Sequence, residues 1–173
     1  MTAEFVHLHV HSQYSLLDGA VKVKDLVKRV AAAGMKGVAV TDHGNMFGAI
    51  TLYKAAKEAH VQAILGCELE VVGRGGHSVH LPALAASNEG YRNLVWLCSR
   101  AHVQGAPLAM EDVAAHAKGL IVTTGCMGGL VPQAILEEGR GGDATRWFRS
   151  ATRSSRGAST SSSRTTGCRS SPS

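Results

Sequence analysis

The stretch Lys22-Val-Lys-Asp-Leu-Val-Lys-Arg-Val-Ala-Ala-Ala33 is followed closely by Gly34 and by the apolar run Gly37-Val-Ala-Val-Thr41. Apolar residues at positions 23, 26, 27, 30 and 31 share one helical face, and Gly34 suits the end of that helix. The run 37–41 is typical of a short buried strand. Upstream, residues 5–10 alternate with the period of a strand. A strand, a helix and a second strand in this order indicate an α/β fold.

The same alternation continues along the chain. The patterns predict helices over 47–59, 88–103, 110–117 and 130–138, and strands over 64–72, 79–86 and 120–124. Alternating strands and helices with short connections predict an α/β domain with mainly parallel strands. In such folds, ligands gather at the carboxyl ends of the strands.

The charge of the chain is unevenly distributed. The formal net charge is +5, but residues 149–173 carry five Arg and no acid, so residues 1–148 hold 13 basic and 13 acidic side chains. A neutral body excludes a basic nucleic-acid-binding coat over the folded part, and we expect no strong DNA binding by it.

The sequence also bears on the cellular location. A membrane helix needs about 20 consecutive apolar residues, and no such run occurs. The N-terminus lacks the basic start and apolar stretch of a signal peptide. The four Cys are scattered without a CxxC pair, which favours a cytoplasmic protein with reduced thiols.

Residues 144–173 differ in kind from the rest of the chain. Residues 149–173 contain ten Ser, four Thr and five Arg, and we expect this segment to be disordered because it has almost nothing to bury. Two interpretations are open: an arginine-serine tail that binds nucleic acid, or an out-of-frame translation of a GC-rich gene. The abrupt change after Trp147-Phe148, within an ordinary helical pattern, favours a frameshift or truncation.

Three histidines share the parity of the first predicted strand. His7, His9 and His11 would all point to one face, with neighbours about 7 Å apart. Three buried imidazoles would each need a hydrogen-bond partner, so the triplet favours metal binding. His7 precedes the end of the strand and could serve only to support the other two.

Carboxylates and a further histidine follow at neighbouring strand ends. Asp18 lies in the loop before the first helix, and His43 emerges where the second strand ends. Asp42 could orient a metal-bound imidazole or simply cap a turn. Glu68 lies within an apolar strand, where a carboxylate is costly unless paired or metal-bound. Glu70 has the same parity, so the pattern alone does not choose between them.

A cysteine completes the candidate set. Cys126 lies just past a predicted strand in a Gly-rich turn, and a thiolate is a competent zinc ligand. Nitrogen, oxygen and sulfur ligands at successive strand ends suit zinc, manganese or iron, which bind phosphate oxygens and make hydroxide near neutral pH. The sequence has no Walker loop, GxGxxG or GxSxG motif. Three other histidines are expected at the surface: His60, His102 and His116.

These segments together resemble a known family. Phe5-Val-His-Leu-His-Val-His-Ser-Gln-Tyr-Ser-Leu-Leu-Asp-Gly19 and Thr41-Asp-His-Gly-Asn-Met-Phe-Gly48 resemble the polymerase-and-histidinol-phosphatase (PHP) domain, and more closely the copy that opens the bacterial replicative DNA polymerase III alpha subunit. Ile64-Leu-Gly-Cys-Glu68, Gly90-Tyr-Arg-Asn-Leu94 and Thr124-Gly-Cys-Met-Gly128 continue the pattern in the same order. The resemblance covers about residues 4–143.

The resemblance implies a fold and a ligand set. The family is similar to a (β/α)7 barrel with up to three metal ions, so residues 1–143 are expected to form an incomplete PHP domain and 144–173 a separate tail. An Asp-x-His pair on a late strand should follow residue 143, but none occurs there, so fewer ions are expected. A PHP domain that lacked its last strands would be marginally stable. The implied metal ligands are His9, His11, Asp18, His43, Glu68, His80 (in preference to His77) and Cys126.

The resemblance also implies a function. In this family the domain is similar either to a metal-dependent 3′–5′ exonuclease or to a platform for a proofreading exonuclease, within a replicase that acts on DNA. No counterpart of the polymerase palm occurs in these residues, so the chain itself is not expected to copy DNA. Two alternatives are a stand-alone phosphoesterase acting on phosphomonoesters such as histidinol phosphate, and a scaffold whose metals only stabilise the fold.

Overall fold

A computed structural model describes residues 5–138. The predicted tail 144–173 and the boundary at residue 143 lie outside the described residues. From residue 22 onward, every predicted helix and strand is present within a few residues of its expected limits. The elements are α1 (Val23–Ala32), β1 (Gly37–Val40), α2 (Ala49–Glu58), β2 (Gln62–Val72), β3 (Ser78–Ala85), α3 (Asn88–Gln104), α4 (Met110–Ala115), β4 (Leu120–Val122) and α5 (Leu130–Glu138).

The α/β class is confirmed, and residues 5–138 contain a four-stranded sheet in the order β1-β2-β3-β4. The predicted parallel arrangement holds between β1 and β2, whereas β2–β3 and β3–β4 pair antiparallel. Only residues 73–77 join β2 to β3, and both Gly75 and Gly76 there have positive φ. A parallel crossover needs about a dozen residues or more, so this short link returns the chain as a hairpin.

The segment with the first three histidines does not form the regular strand predicted for residues 5–10. It lies beside β1, where Ala39 N donates to His7 O (2.8 Å) and Thr41 N donates to Val10 O (2.9 Å). From His7 to Val10 the segment advances by three residues, while β1 advances by two from Ala39 to Thr41. The segment therefore contains one residue more than a regular pairing needs. Such a bulge interrupts the alternation of side chains that the sequence pattern assumed.

Two apolar clusters flank the sheet. One packs α1 and α2 against β1, through residues such as Val27, Val38 and Leu52. The other packs α3 against β2 and β3, through residues such as Leu69 and Leu94. No helix within residues 5–138 is long and apolar enough to cross a membrane. Strand β2 is the longest strand and lies between β1 and β3. Side chains of β2 that do not face α3 therefore lie close to residues that follow β1 and to residues of β3.

Candidate metal centre

The centre of the site is Glu68 on β2, whose side chain is 0% exposed. The backbone fixes its position, since Glu68 N donates to Asp42 O (3.0 Å) and Gly44 N donates to Glu68 O (2.8 Å). This pairing extends the parallel contact of β1 and β2 to a bridge between His43 and Glu68. The first residues after β1 are thereby placed directly beside the buried carboxylate.

Four imidazoles surround this carboxylate. His43 Nδ1 lies 2.6 Å, His80 Nδ1 3.3 Å and His11 Nε2 3.6 Å from Glu68 Oε2, and His9 Nε2 lies 3.3 Å from Oε1. Within residues 5–138, both Glu68 oxygens and His80 Nδ1 are buried without a hydrogen-bond partner. A buried carboxylate without hydrogen bonds is costly unless paired or bound to a cation. The imidazole nitrogens and carboxylate oxygens lie close together but do not have the geometry of hydrogen bonds, an arrangement that suits coordination of a metal ion.

Among the residues that the structure describes, two groups of potential ligand atoms share Glu68. One is His9, Glu68 and Cys126, the other is His11, His43 and Glu68, and within each group the ligand atoms all lie within 4.8 Å of one another. Imidazole, carboxylate and thiolate donors together suit zinc and similar divalent transition metals. Since Glu68 belongs to both groups, its two oxygens are suited to join two ions.

Asp18 extends the second group from the solvent side. Its Oδ2 lies 2.8 Å from His43 Nε2, although the Asp18 side chain is 55% exposed. His43 is therefore held between two carboxylates, those of Asp18 and Glu68. A neutral imidazole has a single N–H, so a second proton or a metal cation is needed to make both contacts favourable.

The rings of His11 and His43 are stacked, with centroids 4.2 Å apart and planes within 10°. Burial lowers the pKa of His11, the neighbouring His43 lowers it further, and the charge of Glu68 opposes both. A lowered pKa favours the neutral imidazole, which is the form that coordinates metal ions.

A glycine-rich turn after β4 brings Cys126 to the site. His80 N donates to Gly128 O (2.8 Å), which joins β3 to this turn. A Cβ on Gly129 would lie 2.0 Å from Thr124 O. Any residue with a side chain would therefore clash there, and only glycine fits. The tight backbone thus folds the turn back so that Cys126 lies near His9 and Glu68.

Hydroxyl groups that the sequence did not reveal as functional support the imidazoles. Thr41 Oγ1 lies 2.7 Å from His9 Nδ1. Asp42, which the sequence left as an orienting residue or a turn cap, accepts from Ser12 N (2.5 Å), Ser12 Oγ (2.8 Å) and Ser15 Oγ (3.0 Å). It therefore contacts the serine loop rather than an imidazole. Serine and threonine are common in loops, so the sequence offered only their nearness to the histidines as a signal.

Some sequence candidates lie away from the centre. His7 is exposed, and its ring packs edge-on against Phe5 with centroids 4.8 Å apart. His77 is exposed, whereas His80 reaches Glu68. Glu70 is also exposed, and its backbone oxygen accepts from Leu108 N (2.9 Å) further along the same edge of β2.

Comparison with known proteins identifies the family of the chain. The family model for the PHP domain matches residues 7–156. The chain is 40% identical over 148 residues to DNA polymerase III subunit alpha of Borreliella burgdorferi, covering 78% of the chain and 13% of the relative. It is 42% identical over 152 residues to the Thermus aquaticus subunit, covering 78% and 12%. The chain thus spans about an eighth of the length of these curated relatives.

Solved structures give weaker similarity. An amidohydrolase from Chromobacterium violaceum matches with a TM-score of 0.46 and 22% identity, over 83% of this chain and 54% of that one. A two-domain Bacteroides vulgatus protein, described as containing a predicted PHP-like metal-dependent phosphoesterase, matches with a TM-score of 0.48 and 14% identity, over 85% and 48%. Family membership rests on the sequence match over residues 7–156, and by that match the chain belongs to the PHP domain family.

Proposed function

We propose that this chain is the PHP domain of a replicative DNA polymerase alpha subunit, and that its metal centre hydrolyses phosphoester bonds at the 3′ ends of DNA. The observation that carries the proposal is the buried Glu68 carboxylate, whose oxygens have no hydrogen-bond partner among the described residues and face four imidazoles. The likeness to DNA polymerase III subunit alpha in several bacteria supports the choice of parent protein.

The proposed cofactors are two divalent transition-metal ions, zinc or manganese, although the donor set also suits iron. His9 and Cys126 would hold one ion and His11 and His43 the other, with Glu68 shared. Asp18 and His80 adjoin the same centre through His43 and Glu68. Such ions would supply Lewis-acid activation of a phosphoryl oxygen and of water.

The exposure of the ligands defines the open side of the centre. Glu68 forms the floor, whereas the Asp18 side chain is largely exposed and Cys126 is also exposed. The four imidazoles are partly exposed, so a phosphoester can approach them from solvent. The chain's own part in the reaction is to bring these donors together around the buried Glu68 and to leave one side free for the substrate.

The proposed partners follow from the parent protein. In a polymerase of this kind, the domain would meet DNA and other replicase subunits in the cytoplasm, including a proofreading exonuclease. The neutral charge balance of residues 1–148 favours DNA delivery by the rest of the polymerase over strong binding by this chain alone.

Metal content tests the centre directly. The full chain, purified without chelators and analysed by inductively coupled plasma mass spectrometry, should contain one to two equivalents of transition metal. Glu68→Gln should lose most of it, because Gln removes a shared anionic ligand. Glu70→Gln is the matched control two residues away on an exposed position, and should keep it. Less than about half an equivalent in the unmodified chain would contradict the ligand assignment.

Activity on a 5′-labelled single-stranded oligonucleotide tests the reaction. Stepwise shortening from the 3′ end with Mn²⁺ or Zn²⁺, absent in Glu68→Gln and retained in Glu70→Gln, would support the proposal. Turnover of a chromogenic phosphomonoester without DNA cleavage would overturn it in favour of a stand-alone phosphoesterase. Unfolding on chelation with neither activity would overturn it in favour of a metal-stabilised scaffold.

A further inference from the structure

We propose that Ser15 is a positioning residue that fixes the proton of His11 on Nδ1 and so leaves Nε2 free to bind metal. The inference rests on the proposed metal centre and names a residue that orients one of its ligands, His11. It concerns a residue outside the ligand set, at the start of the exposed turn Leu16-Leu17.

Ser15 is 2% exposed, and its hydroxyl makes three polar contacts within residues 5–138. Its Oγ lies 3.0 Å from Asp42 Oδ1, 3.1 Å from His43 N and 3.4 Å from His11 Nδ1. One buried hydroxyl therefore joins a carboxylate, a backbone amide and an imidazole. The amide is that of His43 and the imidazole is that of His11, and the rings of these two residues stack in the second ligand group.

The direction of each hydrogen bond follows from the chemistry of the groups. An ionised carboxylate only accepts, so the single hydrogen of the Ser15 hydroxyl goes to Asp42. The backbone N–H of His43 can only donate, so Ser15 Oγ accepts it. With its hydrogen already committed, Ser15 can bond to His11 Nδ1 only as an acceptor. His11 therefore carries its proton on Nδ1.

The consequence for the site lies at the other end of the ring. His11 Nε2 keeps its lone pair and lies 3.6 Å from Glu68 Oε2, where a shared cation would be held. In metal proteins, partners that fix the tautomer of a ligating histidine typically contribute 10–100-fold to metal affinity.

His9 shows the contrast. Its Nδ1 contacts Thr41 Oγ1 at 2.7 Å, and within residues 5–138 no second hydrogen bond to the Thr41 hydroxyl directs its hydrogen. That hydroxyl can rotate to donate or accept. The tautomer of His9 is thus left open by its partner, whereas that of His11 is set by the contact between Asp42 and Ser15.

The tautomer is measurable without metal. In metal-free full chain labelled with ¹⁵N-histidine, at a pH well above the usual imidazole pKa, the ¹⁵N shifts of His11 should show a protonated Nδ1 and an unprotonated Nε2. A His11→Gln variant identifies the signals. A protonated Nε2 in the unmodified chain would overturn the proposal, and this measurement needs no altered serine.

Ser15→Ala should then shift His11 toward a mixture of tautomers. Ser12→Ala is the matched control, because its hydroxyl donates to the same carboxylate (2.8 Å) but has no imidazole partner within residues 5–138. It should leave the tautomer unchanged. Equal tautomer shifts in both variants would assign the effect to the loop as a whole and overturn the role of Ser15.

Metal affinity separates this proposal from the one on which it rests. With Mn²⁺ as the probe, the Kd of Ser15→Ala should rise about 10–100-fold, while that of Ser12→Ala stays within about twofold. Binding by the unmodified chain with no change in Ser15→Ala would overturn the Ser15 proposal and leave the metal centre intact. No binding by the unmodified chain would overturn both.

Discussion

Glu68 and Leu69 are consecutive residues of β2, almost equally buried at 0% and 1% exposure, yet they lie in opposite surroundings. Side chains alternate along a strand, so Leu69 faces α3 and packs with Leu94 and Leu97. Glu68 faces the imidazoles, and within residues 5–138 its oxygens lack hydrogen bonds. One strand therefore carries a side that stabilises the fold and a side prepared for a ligand.

The comparison shows how local alternation separates stability from function. On the leucine side, free energy comes from apolar area removed from water and from close packing. On the glutamate side, burial is unfavourable until a cation is bound, so that side stabilises the fold through ligand binding. Changes on the two sides should affect different measurements.

Leu69→Ala should have the largest effect on stability. Truncating a fully buried leucine costs about 2–5 kcal/mol of unfolding free energy, from lost burial and the cavity left behind. Urea unfolding in the presence of a chelator measures it. Val72→Ala, at an exposed position of the same strand, is the control and should cost much less. Loss of metal binding by a folded Leu69→Ala variant would contradict the claim that one side of β2 provides stability and the other provides the metal site.

His80→Ala should weaken metal binding with a smaller change in metal-free stability. His80 Nδ1 contacts the shared carboxylate, and loss of such a group typically raises the metal Kd about 10–100-fold. The increase in melting temperature on addition of Zn²⁺ should fall accordingly. His77→Ala, at an exposed position three residues earlier, is the control and should match the unmodified chain. Equal losses in both variants would contradict the assignment of His80.

Ser87→Ala should give the smallest effect and only on the stability side. The Ser87 side chain caps α3 by accepting from Gly90 N (3.1 Å), and loss of such a cap costs about 1 kcal/mol. Ser99→Ala within the same helix is the control, since that hydroxyl bonds back to Val95 O of its own helix and caps no helix end. Unfolding curves and zinc titrations of both variants check this, and metal affinity should not change in either.

Much of the fold could be predicted because its signals are local. Helix α1 follows from apolar spacing and ends before Gly34, which has φ +70°. The antiparallel turn between β2 and β3 was missed because the parallel expectation came from the alternation of elements. The short link over residues 73–77, which is too short for a parallel crossover, could have been read from the sequence as a hairpin. The bulge in residues 5–11 had no sequence signal, since it arises from pairing with β1.

The site could be predicted in part. The strand pattern left Glu68 and Glu70 open, and the family resemblance implied Glu68. In the structure, His43 pairs with β2 at Glu68, which brings that carboxylate to the imidazoles. The position of His7 before the end of the predicted strand suggested a supporting role, and the bulge explains why His7 lies apart from His9 and His11. The Ser15 contacts depend on a loop conformation closed by Asp42, 27 residues away, which no local pattern encodes.

The two ligand groups also differ in when the chain can complete them. The donors of one group, His11, His43 and Glu68, all lie at or before residue 68, whereas the other group includes Cys126. During synthesis from the N-terminus, the ribosome therefore releases all donors of one group nearly 60 residues before the last donor of the other. At about 5–20 residues per second, this interval lasts several seconds, so a nascent chain could acquire its ions one after the other rather than together.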